Sequence, residues 1–318
     1  MPQEACMRSK LRKNGFFERE KRKSFYLFMS LWIAGFAVFQ LIPILWGFNA
    51  SLTNRMAFSL QVKFVGFQNY VKVFADEGVF HSISATFIFS LLNTVIQVTL
   101  GFALALVVNT KIRGKGFFRL FYYLPYVIPV VATGWILRIF FDKNVGTLNI
   151  LLSNLGIISQ NISWLGDHTL FTVLTAGFWR VGWSMLIFLG GLATVPSELY
   201  DAADVDGAGS FRKLGIITLP MLSPFIAFQC VVSFIYGMQE FILPYLLNPT
   251  AIRGGQVTME NPPRATFFIL PKGYDLIFNK GRLAYGFAVL WVTFVIILVL
   301  SLIYARIAKK STYSEMDG

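Results

Sequence analysis

The sequence predicts an all-α, polytopic membrane protein with six transmembrane helices, and three observations predict it. Hydrophobic residues fill 55% of the 318 positions and charged residues only 14%, against about 25% charged in an ordinary soluble domain. Mean hydropathy is +0.61, which is more apolar surface than a soluble fold of this size can hide and too much for a disordered chain. Six stretches reach the ~20 mostly apolar residues that a bilayer crossing needs.

The first span is Ser24 to Phe48. It exceeds the h-region of a signal peptide and no clean small-x-small site follows it, so it reads as a retained helix. The second, Ser82 to Thr110, carries no charge. The third runs from Leu120 to Phe141, with Arg138 near its end and expected to snorkel to the interface. The fourth, Thr169 to Leu192, holds Arg180, and the fifth, Phe225 to Tyr245, holds Glu240. The sixth is Leu283 to Ala305. The chain thus divides into a basic N-terminal tail (1–23), a transmembrane unit (24–305) and a C-terminal tail (306–318).

Six spans put both termini on one side. With the termini inside, the inner segments hold 17 Lys and Arg in 76 positions and the outer ones 9 in 97. Basic residues concentrate on the cytoplasmic side of membrane proteins, so the termini are predicted to be cytoplasmic and the chain to sit in the cell membrane. That bias also accounts for the net charge of +12 without a nucleic-acid partner. The basic tail from Arg8 to Lys23 is suited to anionic lipid headgroups. Cys6 and Cys230 make no disulfide framework.

One inner segment differs from the short basic loops. Pro196 to Pro224 is acidic in its first half, with Glu198, Asp201, Asp204 and Asp206. Ser197 is a candidate N-cap, and Leu199, Ala202, Ala203 and Asp206 fall at helical spacing. Gly207 and Gly209 allow a sharp turn. Phe211 and Leu214 restart a helix, and Pro220 and Pro224 mark the entry to span five. Composition alone also permits a solvated connector.

This segment resembles the EAA loop of binding-protein-dependent ABC importer permeases. The family pattern is Glu-Ala-Ala, three residues, Gly, nine residues, Ile-x-Leu-Pro. Here it stands as Asp201-Ala202-Ala203, Gly207 and Ile217-Thr218-Leu219-Pro220, with Asp in place of Glu. Further stretches are similar to the carbohydrate-uptake subgroup: VGFQNYVKVF (Val65 to Phe74), FYYLPYVIPVV (Phe121 to Val131) and FLGGLATVPSELYDAA (Phe188 to Ala203). The subgroup's Gly-Gly-Pro after span five appears as Gly254-Gly255-Gln256.

The resemblance implies a permease subunit that forms half of a translocation pathway, for a carbohydrate such as an oligosaccharide. It implies a second permease subunit, two ATPase subunits carrying ATP and Mg, and an extracytoplasmic solute-binding protein. Asp201, Ala202, Ala203 and Gly207 become the contacts that couple the chain to the ATPase. No Gly-x-x-x-x-Gly-Lys-Ser/Thr loop occurs, and Gly114-Lys115-Gly116 does not fit one. The chain is therefore expected to be no enzyme and to bind no cofactor itself.

Ionisable groups within spans face a cavity or one another. Arg180 and Glu240 are accordingly either substrate contacts or an ion pair. Asn93, Gln229 and Gln239 suit sugar hydroxyls or helix–helix hydrogen bonds. Trp179, Trp183 and Tyr236 suit a sugar face or ordinary packing. A permease for another solute, such as glycerol phosphate, stays open. An ion-coupled secondary transporter fits less well, because Glu240 is the sole acidic residue well inside a span.

Overall fold

The computed structural model describes residues 23–58, 61–110, 114–248, 252–253, 256–257 and 263–311. The basic tail up to Arg22, Cys6, Gly254-Gly255 and residues 312–318 lie outside them. Elements run in order as α1 (Lys23–Ser51), α2 (Gln68–Ala75), α3 (Glu77–Asn109), α4 (Lys115–Val127), α5 (Val130–Phe140), α6 (Thr147–Asn154), α7 (Trp164–Asp167), α8 (Thr169–Trp179), α9 (Val181–Leu192) and α10 (Ser197–Val205). Then come α11 (Ser210–Met238), α12 (Ile242–Leu247), the paired dipeptides β1 (Ile252–Arg253) and β2 (Gln256–Val257), α13 (Ile269–Tyr274) and α14 (Leu283–Ser311). Apart from that small hairpin and one isolated bridge, Thr53 to Phe64, the described structure is helical.

Among the described residues four helices, α1, α3, α11 and α14, are by themselves long and apolar enough to cross a membrane. The count reaches six when each of two bent pairs is one span, α4 with α5 (bent by 90°) and α8 with α9 (bent by 43°). The third predicted span is therefore not a straight helix. Pro129 follows Ile128, whose backbone is extended at φ −64° and ψ 130°, as a residue before proline prefers. Span five also departs from expectation, because α11 ends at Met238 and leaves Gln239 and Glu240 in a break. A continuous helix would drive the Pro244 ring against the Glu240 carbonyl. The chain instead breaks after Gln239 and restarts with Pro244 in the first turn of α12.

Arg138 does not snorkel. Its Nη1 donates to the carbonyls of Leu246 (2.7 Å) and Asn248 (2.8 Å), which satisfies carbonyls left open where α12 ends.

Three apolar clusters organise the bundle around α3. One end joins Ala105 and Val108 to Met185, Phe188, Leu192 and Leu222. Further along, Phe89, Leu137, Phe141, Val173, Leu243 and Phe268 pack together. Beyond lies a third cluster, where Val73 and Val79 meet Ile269, Leu276 and Val289. Helix α1 joins mainly through its last third, where Trp46 and Phe48 meet Phe287 and Trp291 edge to face.

At the α2 end, Asp76 caps α3. Its Oδ1 accepts from the N–H groups of Gly78 (2.9 Å) and Val79 (3.2 Å), and its Oδ2 from the Tyr285 hydroxyl (2.6 Å). Lys272 Nζ stands 3.8 Å away. Burial pulls the carboxyl upward, yet the Tyr285 bond, the ammonium and the two backbone donors outweigh it and hold Asp76 below the usual carboxylate value. Burial pushes Lys272 down, against the pull of Asp76.

Candidate functional site

Two places carry the candidate residues: a cleft in the middle of the bundle, and the bend that follows α9.

The cleft holds about 680 Å³ with its mouth included and lies between α3, α8, α9 and α11. Its deepest wall is polar and internally bonded. Gln97 Nε2 donates to the Gly177 carbonyl (2.7 Å), and Ser184 Oγ donates to Gln97 Oε1 (2.8 Å). Gln229 Nε2 donates to Ser184 Oγ (2.6 Å) and Ser233 Oγ (2.8 Å). This chain of bonds ties α3, α8, α9 and α11 together at one level. It also fixes Gln229 so that its Oε1, buried on the cleft wall, has no partner.

The rim is charged and aromatic. Arg180 occupies the break between α8 and α9, and Glu240 the break between α11 and α12. Nη1 of Arg180 reaches Glu240 Oε2 at 3.5 Å, while Glu240 Oε1 accepts from the Leu243 N–H (3.4 Å). The pair is made through one nitrogen, and the Arg180 side chain remains 38% exposed. Trp183 lies over Tyr126 with ring centroids 5.5 Å apart and planes within 18°. Tyr236 is exposed on the opposite wall.

Of the residues selected from the sequence, the cleft brings together Asn93, Arg180, Trp183, Gln229, Tyr236 and Glu240. Trp179 and Gln239 are not in its lining. Trp179 turns its indole N–H into the protein, where it has no partner, and Gln239 is exposed beyond the end of α11. Sequence reasoning missed Gln97, Tyr126, Ser184 and Ser233. Gln97 carried a signal, as an amide one turn after Asn93 inside a long apolar run. Ser184 carried none, while Ser233 stands one helical turn after the selected Gln229.

The bend lies at the far end of the bundle from α2. The segment from Pro196 to Pro224 folds as two helices with a hinge, as its glycines indicate. Its N-cap is Pro196 rather than Ser197, which sits at the first helical position and makes no capping bond. Gly207 adopts φ +71°, in the left-handed region that side chains with a Cβ avoid. The second helix is not short, since it runs straight into span five. Pro220 has no N–H for a preceding carbonyl, and the helix accommodates it with a π-turn over Leu214–Thr218 instead of stopping. Asp201, Ala202, Asp204 and Asp206 are exposed and Ala203 is half-buried. Val205 and Phe211 are 90% and 91% exposed. Two contacts cross the hinge: Lys213 pairs with Asp204, and Tyr200 Oη meets Thr218 Oγ1 (3.0 Å).

Known proteins resemble the chain over most of its length. The family model for the binding-protein-dependent transport system inner membrane component matches residues 97–313. The trehalose/maltose transport system permease protein MalF of Thermococcus litoralis is 28% identical over 86% of this chain and 89% of its own. The probable ABC transporter permease protein YesP of Bacillus subtilis is 34% identical over 91% and 90%. A solved bacterial alginate ABC transporter, in complex with an alginate pentasaccharide-bound periplasmic protein, superposes with a TM-score of 0.79. That match is 21% identical, over 93% of this chain and 98% of that one, and it bears on the fold.

Proposed function

The chain belongs to the binding-protein-dependent transport system inner membrane components, and from that premise we propose that it forms half of the translocation pathway of an ATP-driven importer for a carbohydrate. The carrying observation is the cleft. It combines stacked and open aromatic rings (Trp183, Tyr126, Tyr236) with the uncharged polar side chains of Asn93, Gln97, Gln229 and Ser233 in one lining, a pairing of features suited to a sugar's apolar face and its hydroxyls. The permease for trehalose and maltose among its relatives supports the same substrate class. Arg180, Glu240 and Asn93 complete the pathway surface. Arg180 is matched by Glu240, so the cleft lacks the surplus positive charge a phosphorylated solute such as glycerol phosphate would want.

The solute arrives on an extracytoplasmic binding protein, a second permease subunit supplies the other half of the pathway, and ATP is hydrolysed with Mg on two separate ATPase subunits. The excess of Lys and Arg in the inner segments supports cytoplasmic termini, and in that orientation α10 lies inside the cell, within reach of an ATPase. Asp201, Ala202, Ala203 and Gly207 form the coupling surface. The two alanines let a partner approach the backbone, Asp201 offers a carboxylate to a basic group, and Gly207 makes the bend.

The test is reconstitution of the chain with its co-expressed neighbours in liposomes, followed by uptake of labelled oligosaccharides. Uptake is expected only when the ATPase subunits, ATP and the binding protein are all present. Uptake by the chain alone, abolished by an uncoupler, would overturn the proposal.

A further inference from the structure

The short helix α2 sits apart from both sites. Its sequence lies within the outer stretch VGFQNYVKVF.

At 100° per residue the wheel of α2 divides into three sectors. With Val71 at the origin, Phe74 and Phe67 fall within about 60° on one side. Gln68, Lys72 and Ala75 fall between about 40° and 100° on the other. Asn69, Val73 and Tyr70 occupy the remaining sector, from about 160° to 260°. The last sector faces the protein, with Asn69 and Val73 buried. The polar sector is exposed. The first is fully apolar and also exposed, with Phe67, Val71 and Phe74 at 67%, 69% and 74%. A helix on the face of a water-soluble body needs two sectors. A helix with a third, apolar and uncovered, borders a second solvent.

The depth of α2 is fixed by its bonds to α1. Asn69 Nδ2 donates to the carbonyls of Ser51 and Thr53, both at 2.7 Å, and Tyr70 Oη meets Ser51 Oγ at 2.6 Å. So α2 lies level with the end of α1. Trp46 lies five residues earlier, about 7.5 Å deeper along the helix axis, with the Arg55 guanidinium 5.6 Å from its ring centre. A Trp beneath an Arg at the end of a span marks the headgroup level. The apolar sector also continues into the span. Phe74 and Phe80 share a shallow depression with Asp76, Glu77, His81 and Ser84, and below it the exposed apolar stripe of α3 runs from Phe80 through Phe87, Leu91 and Val95.

We propose that α2 is an interfacial helix. Phe67, Val71 and Phe74 enter the headgroup region of the leaflet opposite α10, on its membrane side, while Gln68 and Lys72 face water. The occupant of the apolar face is lipid.

The test places nitroxide labels on single-cysteine variants F67C, V71C, F74C, Q68C and K72C, in a chain carrying Cys6→Ser and Cys230→Ala. Each is purified with its co-expressed neighbours in nanodiscs of phosphatidylethanolamine and phosphatidylglycerol. Power-saturation EPR then compares collisions with oxygen, which concentrates in the bilayer, and with a water-soluble nickel chelate. Labels at 67, 71 and 74 are expected to collide more with oxygen than with nickel, and labels at 68 and 72 the reverse. Nickel collisions at 71 and 74 equal to those at 72 would put this face in water and overturn the proposal. So would nickel access lost only on adding the binding protein, which would make it a protein-docking surface, or shielding from both reagents, which would bury it against another subunit. If F74C fails to assemble, V71C against K72C decides.

Discussion

Gly182 and Gly207 differ in everything but their side chain. A Cβ at Gly182, in the first turn of α9, would stand 2.1 Å from the Tyr122 carbonyl oxygen of α4. A Cβ at Gly207 would meet nothing within 4 Å, yet its φ is +71°. The first glycine exists because two helices touch, the second because the backbone turns. The cleft side is therefore built by close packing and mutual hydrogen bonds, and the bend by backbone conformation with its side chains left outward. One region holds its shape from within. The other leaves Asp201, Val205 and Phe211 on the surface.

The strongest way to break this contrast is Gly182→Val. No rotamer relieves an overlap between a Cβ and a main-chain oxygen, so α9 must separate from α4. We expect loss of the folded, monodisperse species in detergent, read by size-exclusion chromatography. A normal elution profile would mean that the crossing is looser than 2.1 Å implies.

Gly207→Val should act oppositely. Placing a β-branched residue at positive φ costs about 1–2 kcal/mol, confined to the bend. The melting temperature in detergent should move by no more than a few degrees. ATP-driven uptake by the assembled complex should fall severalfold. A large drop in melting temperature with uptake intact would reverse the roles assigned to the two glycines.

The smallest effect sharpens the comparison with a third site, where charge rather than shape holds helices together. Asp76 has its folded carboxyl below the ordinary 3.8. Its contribution to stability is thus full above that ordinary value and is lost as the pH falls through the lower folded one. The gap in melting temperature between the native chain and Asp76→Asn should narrow steadily as the pH falls from about 5 to 3. A gap that stays constant over that range would remove the ionised carboxylate from the account.

How much of this was legible beforehand follows from the range of the forces involved. Apolar runs announce spans because burial in lipid depends on composition alone, so α1, α3 and α14 fall close to where hydropathy puts them. Gly207 announces a turn because its signal is local. Arg180 and Glu240 stand out as lone charges in apolar runs, but the sequence does not choose between substrate contacts and an ion pair, and only the fold brings them together across 60 residues. The role of Arg138 was hidden, since the carbonyls it caps lie more than a hundred residues away. Ser184 was hidden in the same way, its partners Gln97 and Gln229 standing 87 and 45 residues away. A serine in a membrane helix usually bonds to its own backbone, and only the packing of α3, α9 and α11 brings Ser184 to Gln97 and Gln229, whereas Ser233 stands one turn from Gln229 on α11.

The π-turn over Leu214–Thr218 leaves α11 a single unbroken shaft from Ser210 to Met238. Its 29 residues reach about 43 Å at 1.5 Å per residue. The exposed Phe211 and the cleft-lining Tyr236 are mounted on the same axle. A twist delivered near the hinge would turn the far rings by lever action, with no relay of loosened contacts in between.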